Sequence, residues 1–297
     1  MAGFACTRRP AYRLAALATL SILLVSGCTS AKTGKGIADG DEAAAYVSAK
    51  FAENLRSLSD DLARYEPRKS RLRHHIELDD KTSHKTYTAI QLGSPPDRYV
   101  KAQLSNNPSE YLVTFHPARS KVKYLLLGPH YGSLAPTPWV SMPYSGWNRG
   151  PCAWLGYETA CRMLGTVADA AQRGNAAKKA TSLSDGSVKL QAEVTLRDFL
   201  KNKVIVFPDN LASRITSEMK AEPIKTMVRL DPDGGLRRIT MNATITGGGH
   251  RLRIQLEYQV LEPPTKSDLP DAPAKDKVTK LEGEAAVDDF YRRLNEL

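Results

Sequence analysis

Four cysteines, six histidines and a scatter of carboxylates carry the reactive chemistry available to this 297-residue sequence. The histidines are His74, His75, His84, His116, His130 and His250, and no HExxH or other metal-ligand spacing joins them. His74 and His75 form the tempting pair, but neighbours on a strand point to opposite faces and cannot chelate one ion together. No GxSxG elbow, P-loop or SxxK occurs. Asp231 and Asp233 stand in a DPDGG turn, a turn before it is a calcium loop. Gly34 and Gly36 lie in a polar stretch, not between a strand and a helix, so they cradle no phosphate. These spacings offer no catalytic residue, metal site or cofactor site. A non-enzymatic role is expected, and a hydrolase would need a convergent set of ionisable groups that no spacing nominates.

The cysteines say more. Leu14 to Val25 is an apolar run behind Arg8, Arg9 and Arg13, and it ends at Val25-Ser26-Gly27-Cys28. A bilayer-spanning helix needs about 20 apolar residues, so the run fits a secretory leader instead. The Gly–Cys junction resembles the bacterial lipobox, in which the leader is cut before a cysteine that carries a diacylglyceryl group. Residues 1–27 are then a cleaved signal peptide, Cys28 is the lipidation site, and residues 28–40 are a polar, flexible tether. An ordinary leader with a chance cysteine is the alternative. The expected location is the outer face of the cell membrane, held there by the N-terminal lipid.

Cys6 leaves with the leader and Cys28 is used by the lipid, which leaves Cys152 and Cys161. In an oxidising exterior these are expected to form a disulfide. A continuous helix would hold them too far apart, so a bend is required, and Gly150-Pro151 and Gly156 allow one. The leader removes three arginines and no acids, so the mature chain keeps a net charge of +7. A basic exterior outside the membrane suits anionic headgroups or wall polymers. Nucleic acid is not an expected partner, because the basic residues are spread along the chain and the chain is exported.

Those residues must be positioned by elements that the hydrophobic pattern marks out. Val47, Phe51, Leu55, Leu58 and Leu62 recur at helical spacing before Pro67. Short strand-like runs with regular turn signals follow from residue 71 to 143, as in an antiparallel meander. A helix is expected over Tyr157 to Arg173, with Gly174-Asn175 as its stop. In the second half, Val188, Leu190, Ala192, Val194 and Leu196 share one strand face, and residues 209–222 read as one short helix capped by Asp209. Leu252, Ile254, Leu256, Tyr258 and Val260 alternate with Arg251, Arg253, Gln255, Glu257 and Gln259, one face apolar and the other polar. A Pro-rich return and a helix near the C-terminus complete residues 41–297, expected to be a single domain.

A tryptophan strand (TPWVSMP) and the run VRLDPDGGLRRITMNATITGGGHRLRIQLEYQVLEPP stand behind the lipobox, tether and first helix. In this order the chain resembles the LppX/LprG-type lipoproteins of actinobacteria, which share the fold of the LolA/LolB lipoprotein carriers. The resemblance covers most of residues 41–275 as an order of elements; the paired cysteines and the basic region 68–123 do not map onto it. It implies an α+β fold, a strongly curved antiparallel half-barrel with helices packed across its concave face. It also implies an apolar cavity for a lipid or a lipidated molecule, with binding or transport at the cell envelope as the function. Val188, Leu190, Val194, Leu196, Leu252, Ile254, Leu256 and Tyr258 are then candidates to line the cavity, and Trp139, Trp147 and Trp154 to form its mouth. The same alternation also describes a filled core, and clustered aromatics also serve as core and rim packing. A structural or sensory lipoprotein of the same fold, acting through protein or wall contacts, is the alternative role.

Overall fold

The computed structural model describes residues 66–145, 150–172 and 178–297, together with 51, 53–55, 58, 62 and 64, all within the unit Asp39–Leu297. The leader, the lipobox and the tether lie outside the described residues. At the start of the unit, residues 51, 53–55, 58 and 62 are helical (α1), and Phe51, Leu55, Leu58 and Leu62 are buried as their spacing demands.

Alternation of apolar and polar residues then gives six strands that pair in sequence order. They are β1 (Arg68–Leu78), β2 (Lys81–Gly93), β3 (Pro96–Gln103), β4 (Tyr111–His116), β5 (Val122–Leu127) and β6 (Trp139–Pro143). Helix α2 (Glu158–Gln172) separates them from a second meander: β7 (Lys178–Ser182), β8 (Val188–Thr195), β9 (Pro223–Leu230), β10 (Leu236–Gly247) and β11 (His250–Val260). Three short helices interrupt the second meander between β8 and β9: α3 (Leu196–Lys201), α4 (Asp209–Ala212) and α5 (Ser217–Ala221). The first and last strands of the two meanders join antiparallel, from Ser70↔Val260 to Leu78↔Leu252. The chain ends in β12 (Val278–Lys280) and α6 (Gly283–Glu296).

The result is one sheet in the order β12-β6-β5-β4-β3-β2-β1-β11-β10-β9-β8-β7, antiparallel except where β12 runs parallel to β6. It does not close: β12 and β7 are its two edges, and the architecture is the expected α+β half-barrel. Register puts Leu72, Ile76 and Leu78 on the same face as Tyr258, Ile254 and Leu252, and these continue into Ile239, Met241 and Ile245 of β10. This inner face packs with α1, α2 and α3 in the larger of two apolar clusters. The second cluster joins Leu125, Leu127, Val140 and Met142 of β5 and β6 to Phe290 of α6. Burial of each such side chain contributes about 1.5–3 kcal/mol, which is why helices cover the inner face. On the outer face Arg73 and Arg238 both meet Glu257, at 3.7 and 3.2 Å, and Arg253 faces Glu77 at 3.9 Å.

Two elements differ from the sequence reading. Residues 209–222 do not form one helix, because the chain turns at Ser213 and restarts under a new cap, Thr216, whose hydroxyl accepts from the Met219 amide at 3.2 Å. Asp209 opens α4 but makes no capping bond there. Strand β12 lacks a periodic signal, since three residues are too few to carry one. Its place is set by the Pro-rich return, which crosses the outer face under a Lys69–Asp268 ion pair of 2.5 Å.

Candidate functional site

The histidines settle into structural roles. His74 turns inward on β1, with its Nε2 3.1 Å from Ser83 Oγ. His75 turns outward and meets His84 directly across β1 and β2, their ring nitrogens 2.7–2.9 Å apart. Burial first, and then the facing His84, lowers the pKa of His75. His116 Nε2 donates to the Ser120 carbonyl at 2.8 Å. His250 and Arg214 close on Asp79, at 2.9 and 3.3 Å, and the Arg251 amide donates to the same carboxylate at 2.9 Å. That amide is the first cause of the lowered Asp79 pKa, and together these bonds tie the β1–β2 turn to β11. Asp231 accepts from the Gly235 amide at 2.6 Å, a turn closing on itself. Among the described residues no three His, Cys, Asp or Glu side chains gather as a metal would require.

The cysteine pair is bridged, with Cα atoms 5.7 Å apart. Cys152 sits on a short 3-10 turn (Pro151–Ala153) and Cys161 in the first part of α2, so the bend falls between them. Gly156 makes it, at φ +99°, and a Cβ there would lie 2.6 Å from Ala89 Cβ. The same bend presses Trp154 and Tyr157 onto the inner face, ring centroids 5.3 Å apart, with the Arg98 guanidinium 5.7 Å from the Trp154 ring. Tyr157 OH donates to the Arg68 carbonyl at 3.0 Å.

The structure disperses the aromatic residues chosen as a cavity mouth. Trp154 belongs to the larger cluster on the inner face. Trp139 lies on β6 opposite Leu126, which register assigns to the outer face, and Trp147 lies outside the described residues. Trp139 and Trp154 therefore do not share one opening. The candidate wall residues, by contrast, do come together. Leu190, Val194, Leu252, Ile254, Leu256 and Tyr258 all face inward and are buried, and Val188 packs at their margin. Leu196 joins them from the first position of α3, not from the end of a strand, because Thr195 caps the helix by accepting from the Asp198 amide.

Sequence reasoning passed over the segment KNKVIVFP, residues 201–208. Helix α3 stops at Asn202, Lys203 takes a left-handed φ of 52°, and the chain runs out to Pro208 before α4 begins. Between α3 and α5 this leaves an open hollow of about 570 Å³. Its apolar walls are Leu200, Ile205, Val206, Phe207, Ala212 and Ile215. Ile215 belongs to the larger core cluster and Leu200, Ile205 and Phe207 pack against it, so the floor of the groove is continuous with the interior. Val206 stands on the lip, 69% exposed. Arg197, Lys201, Lys203 and Lys220 complete the lining, and none is paired with a carboxylate among the described residues. The signal for this site was an apolar run of four between two lysines and a proline, with no partner of matching period. A second hollow, about 460 Å³, lies over the polar outer face around Arg73, His75, His84, Arg238, Gln255 and Glu257.

No known protein family matches the sequence, and no curated protein matches it. Among solved structures the chain is similar to the Mycobacterium tuberculosis lipoprotein LppX, at 10% identity and a TM-score of 0.31, over 76% of this chain and 98% of that one. It is similar to LprF from Mycobacterium bovis at 10% identity and a TM-score of 0.26, covering 70% and 91%. A LolA superfamily protein from Nitrosomonas europaea shows 10% identity and a TM-score of 0.25, covering 74% and 99%. Such values describe a likeness in the order of elements and carry no function with them.

Proposed function

We propose that this chain is a lipoprotein of the cell envelope, anchored through Cys28, that binds a lipid or a lipidated molecule without chemical turnover. The observation that carries this reading is the groove between α3 and α5. It is apolar on its walls, ringed by four cations that have no carboxylate partner among the described residues, and continuous at its floor with the packed interior. An acyl chain placed there loses contact with water along its length, worth about 0.8 kcal/mol per methylene. A headgroup phosphate at the rim would meet lysine and arginine. The volume of about 570 Å³ falls within the range of about 300–1,000 Å³ usual for ligand pockets. Longer chains would reach past Phe207 and Leu200 toward Leu190, Val194, Leu252, Ile254, Leu256 and Tyr258, given a shift of the short helices.

One observation favours a second reading. Leu252, Ile254 and Tyr258 are 0% exposed, so in this conformation the inner wall serves as core. A non-transport envelope lipoprotein, acting through protein or wall contacts, needs no more than that.

Native mass spectrometry on a chain beginning at Thr29, purified and then offered phospholipid, separates the two. Retention of a lipid-sized mass that leaves only on unfolding, and that Phe207→Asp reduces at least tenfold, is the expected result. A protein that comes through empty and refuses added phospholipid would overturn the binding reading in favour of the second.

A further inference from the structure

We propose that the rim of this groove is also a membrane-docking surface, which seats the domain on a bilayer containing anionic lipid independently of any N-terminal anchor. The inference takes the groove's apolar lining from the reading above and adds a different occupant for its rim. Val206 is one of only three large apolar side chains exposed among the described residues, and it stands on the lip beside Phe207. Around it Lys201, Lys203 and Lys220 have no carboxylate partner among the described residues, nor does Arg197. The acid nearest in sequence to Arg197 and Lys201, Asp198, is turned inward, where Thr195 Oγ1 donates to it at 2.7 Å. Asp209, Glu218 and Glu222 belong to the same segment but do not line the hollow.

The outer face of the sheet is basic too, but its cations are partly compensated and, unlike the rim, they do not line a hollow that carries an exposed apolar side chain. There Arg73 and Arg238 share Glu257, and Arg229 pairs with Asp185 at 2.9 Å. A polyanion without an apolar face would satisfy the four rim cations but would leave Val206 without a counterpart. A bilayer satisfies both, since the apolar lip enters the acyl boundary while the lysine stems extend to the phosphates. Each lysine close to an anionic surface strengthens binding about fivefold, an effect confined to roughly a Debye length.

The test is sedimentation of the chain beginning at Thr29, whose described fold lies wholly within Asp39–Leu297, with vesicles of phosphatidylcholine alone or mixed with phosphatidylglycerol. Binding is expected to the mixed vesicles only and to weaken as salt is raised. The triple variant Lys201→Gln, Lys203→Gln, Lys220→Gln should bind roughly a hundredfold more weakly. Val206→Ser should also weaken binding, without altering the salt dependence. The matched variant Lys179→Gln, Lys189→Gln, Lys225→Gln removes the same charge from the outer face and should bind like the parent. Equal losses in the two triple variants, or equal binding to both vesicle types, would overturn the proposal. So would a concentration-dependent dimer that Val206→Ser dissolves in the absence of vesicle binding, because the lip would then belong to a second copy. Lipid retention by native mass spectrometry is read on the same samples. Docking lost with retention intact in the parent sinks this inference alone, whereas an empty protein that still docks sinks the binding reading alone.

Discussion

On β1, His74 turns inward beside Leu72 and Ile76, and its imidazole meets Ser83 Oγ in place of water. Burial, followed by the charges of Lys85, His84 and His75, lowers its pKa from 6.5 to about 4. A proton taken up between those values is taken up by the unfolded chain and refused by the folded one. Stability from this group is therefore complete above pH 6.5 and is lost as pH falls toward 4, by about 3 kcal/mol in all. Denaturant unfolding at stepped pH should show that decline, and His74→Gln should flatten it. The variant keeps part of the slope, because His75 and His116 are shifted in the same direction, in each case first by burial. An unchanged slope would remove His74 from the account.

Among the elements, the bend from Pro151 to Cys161 does most to fix where α2 lies. Gly156 brings backbone against Ala89 at a distance no other residue allows, and the disulfide closes the loop around it. A loop of this size restricts the unfolded chain enough to contribute about 2–3 kcal/mol. The double variant Cys152→Ala, Cys161→Ala should lose that amount in a denaturant titration while keeping its far-ultraviolet circular dichroism. A loss under about 0.5 kcal/mol would mean that Trp154 and Tyr157 hold the bend unaided. The bend and the α3–α5 segment both depend on backbone conformations opened by single residues, Gly156 and Lys203.

At the scale of the whole molecule, one sheet carries two apolar clusters that different helices cover. The larger spans β1–β3 and β8–β11 beneath α1–α3 and α5, and the smaller sits on β5 and β6 beneath α6. The return that carries the chain to β12 holds α6 in place, with Thr279 Oγ1 2.6 Å from Thr137 Oγ1. Phe290 is fully buried in the smaller cluster, so Phe290→Ala should cost about 3–5 kcal/mol there. Hydrogen exchange in β5 and β6 should then rise while β10 and β11 stay protected. Uniform loss of protection would show that the two clusters fold as one.

Local pattern determined a good deal of this protein. Period-two alternation marked β11 and its buried face residue by residue, helical spacing marked α1, and the leftover cysteines marked their bridge. The leader and Cys28 rest on local pattern too, and they define the envelope setting that is proposed. What local pattern left open was everything decided by contact between distant segments. His75 faces His84 only because β1 pairs with β2 in one register, and β1 meets β11 across some 180 residues of chain. An alternating strand fixes which side chains are apolar, since side-chain direction repeats every two residues, but a core face and a cavity wall have the same alternation. Packing alone filled the inner face with Leu252 and Tyr258, and left Ile205, Val206 and Phe207 only partly covered among lysines. That run lacked a helix or strand long enough to cover it, which no pattern within eight residues could disclose.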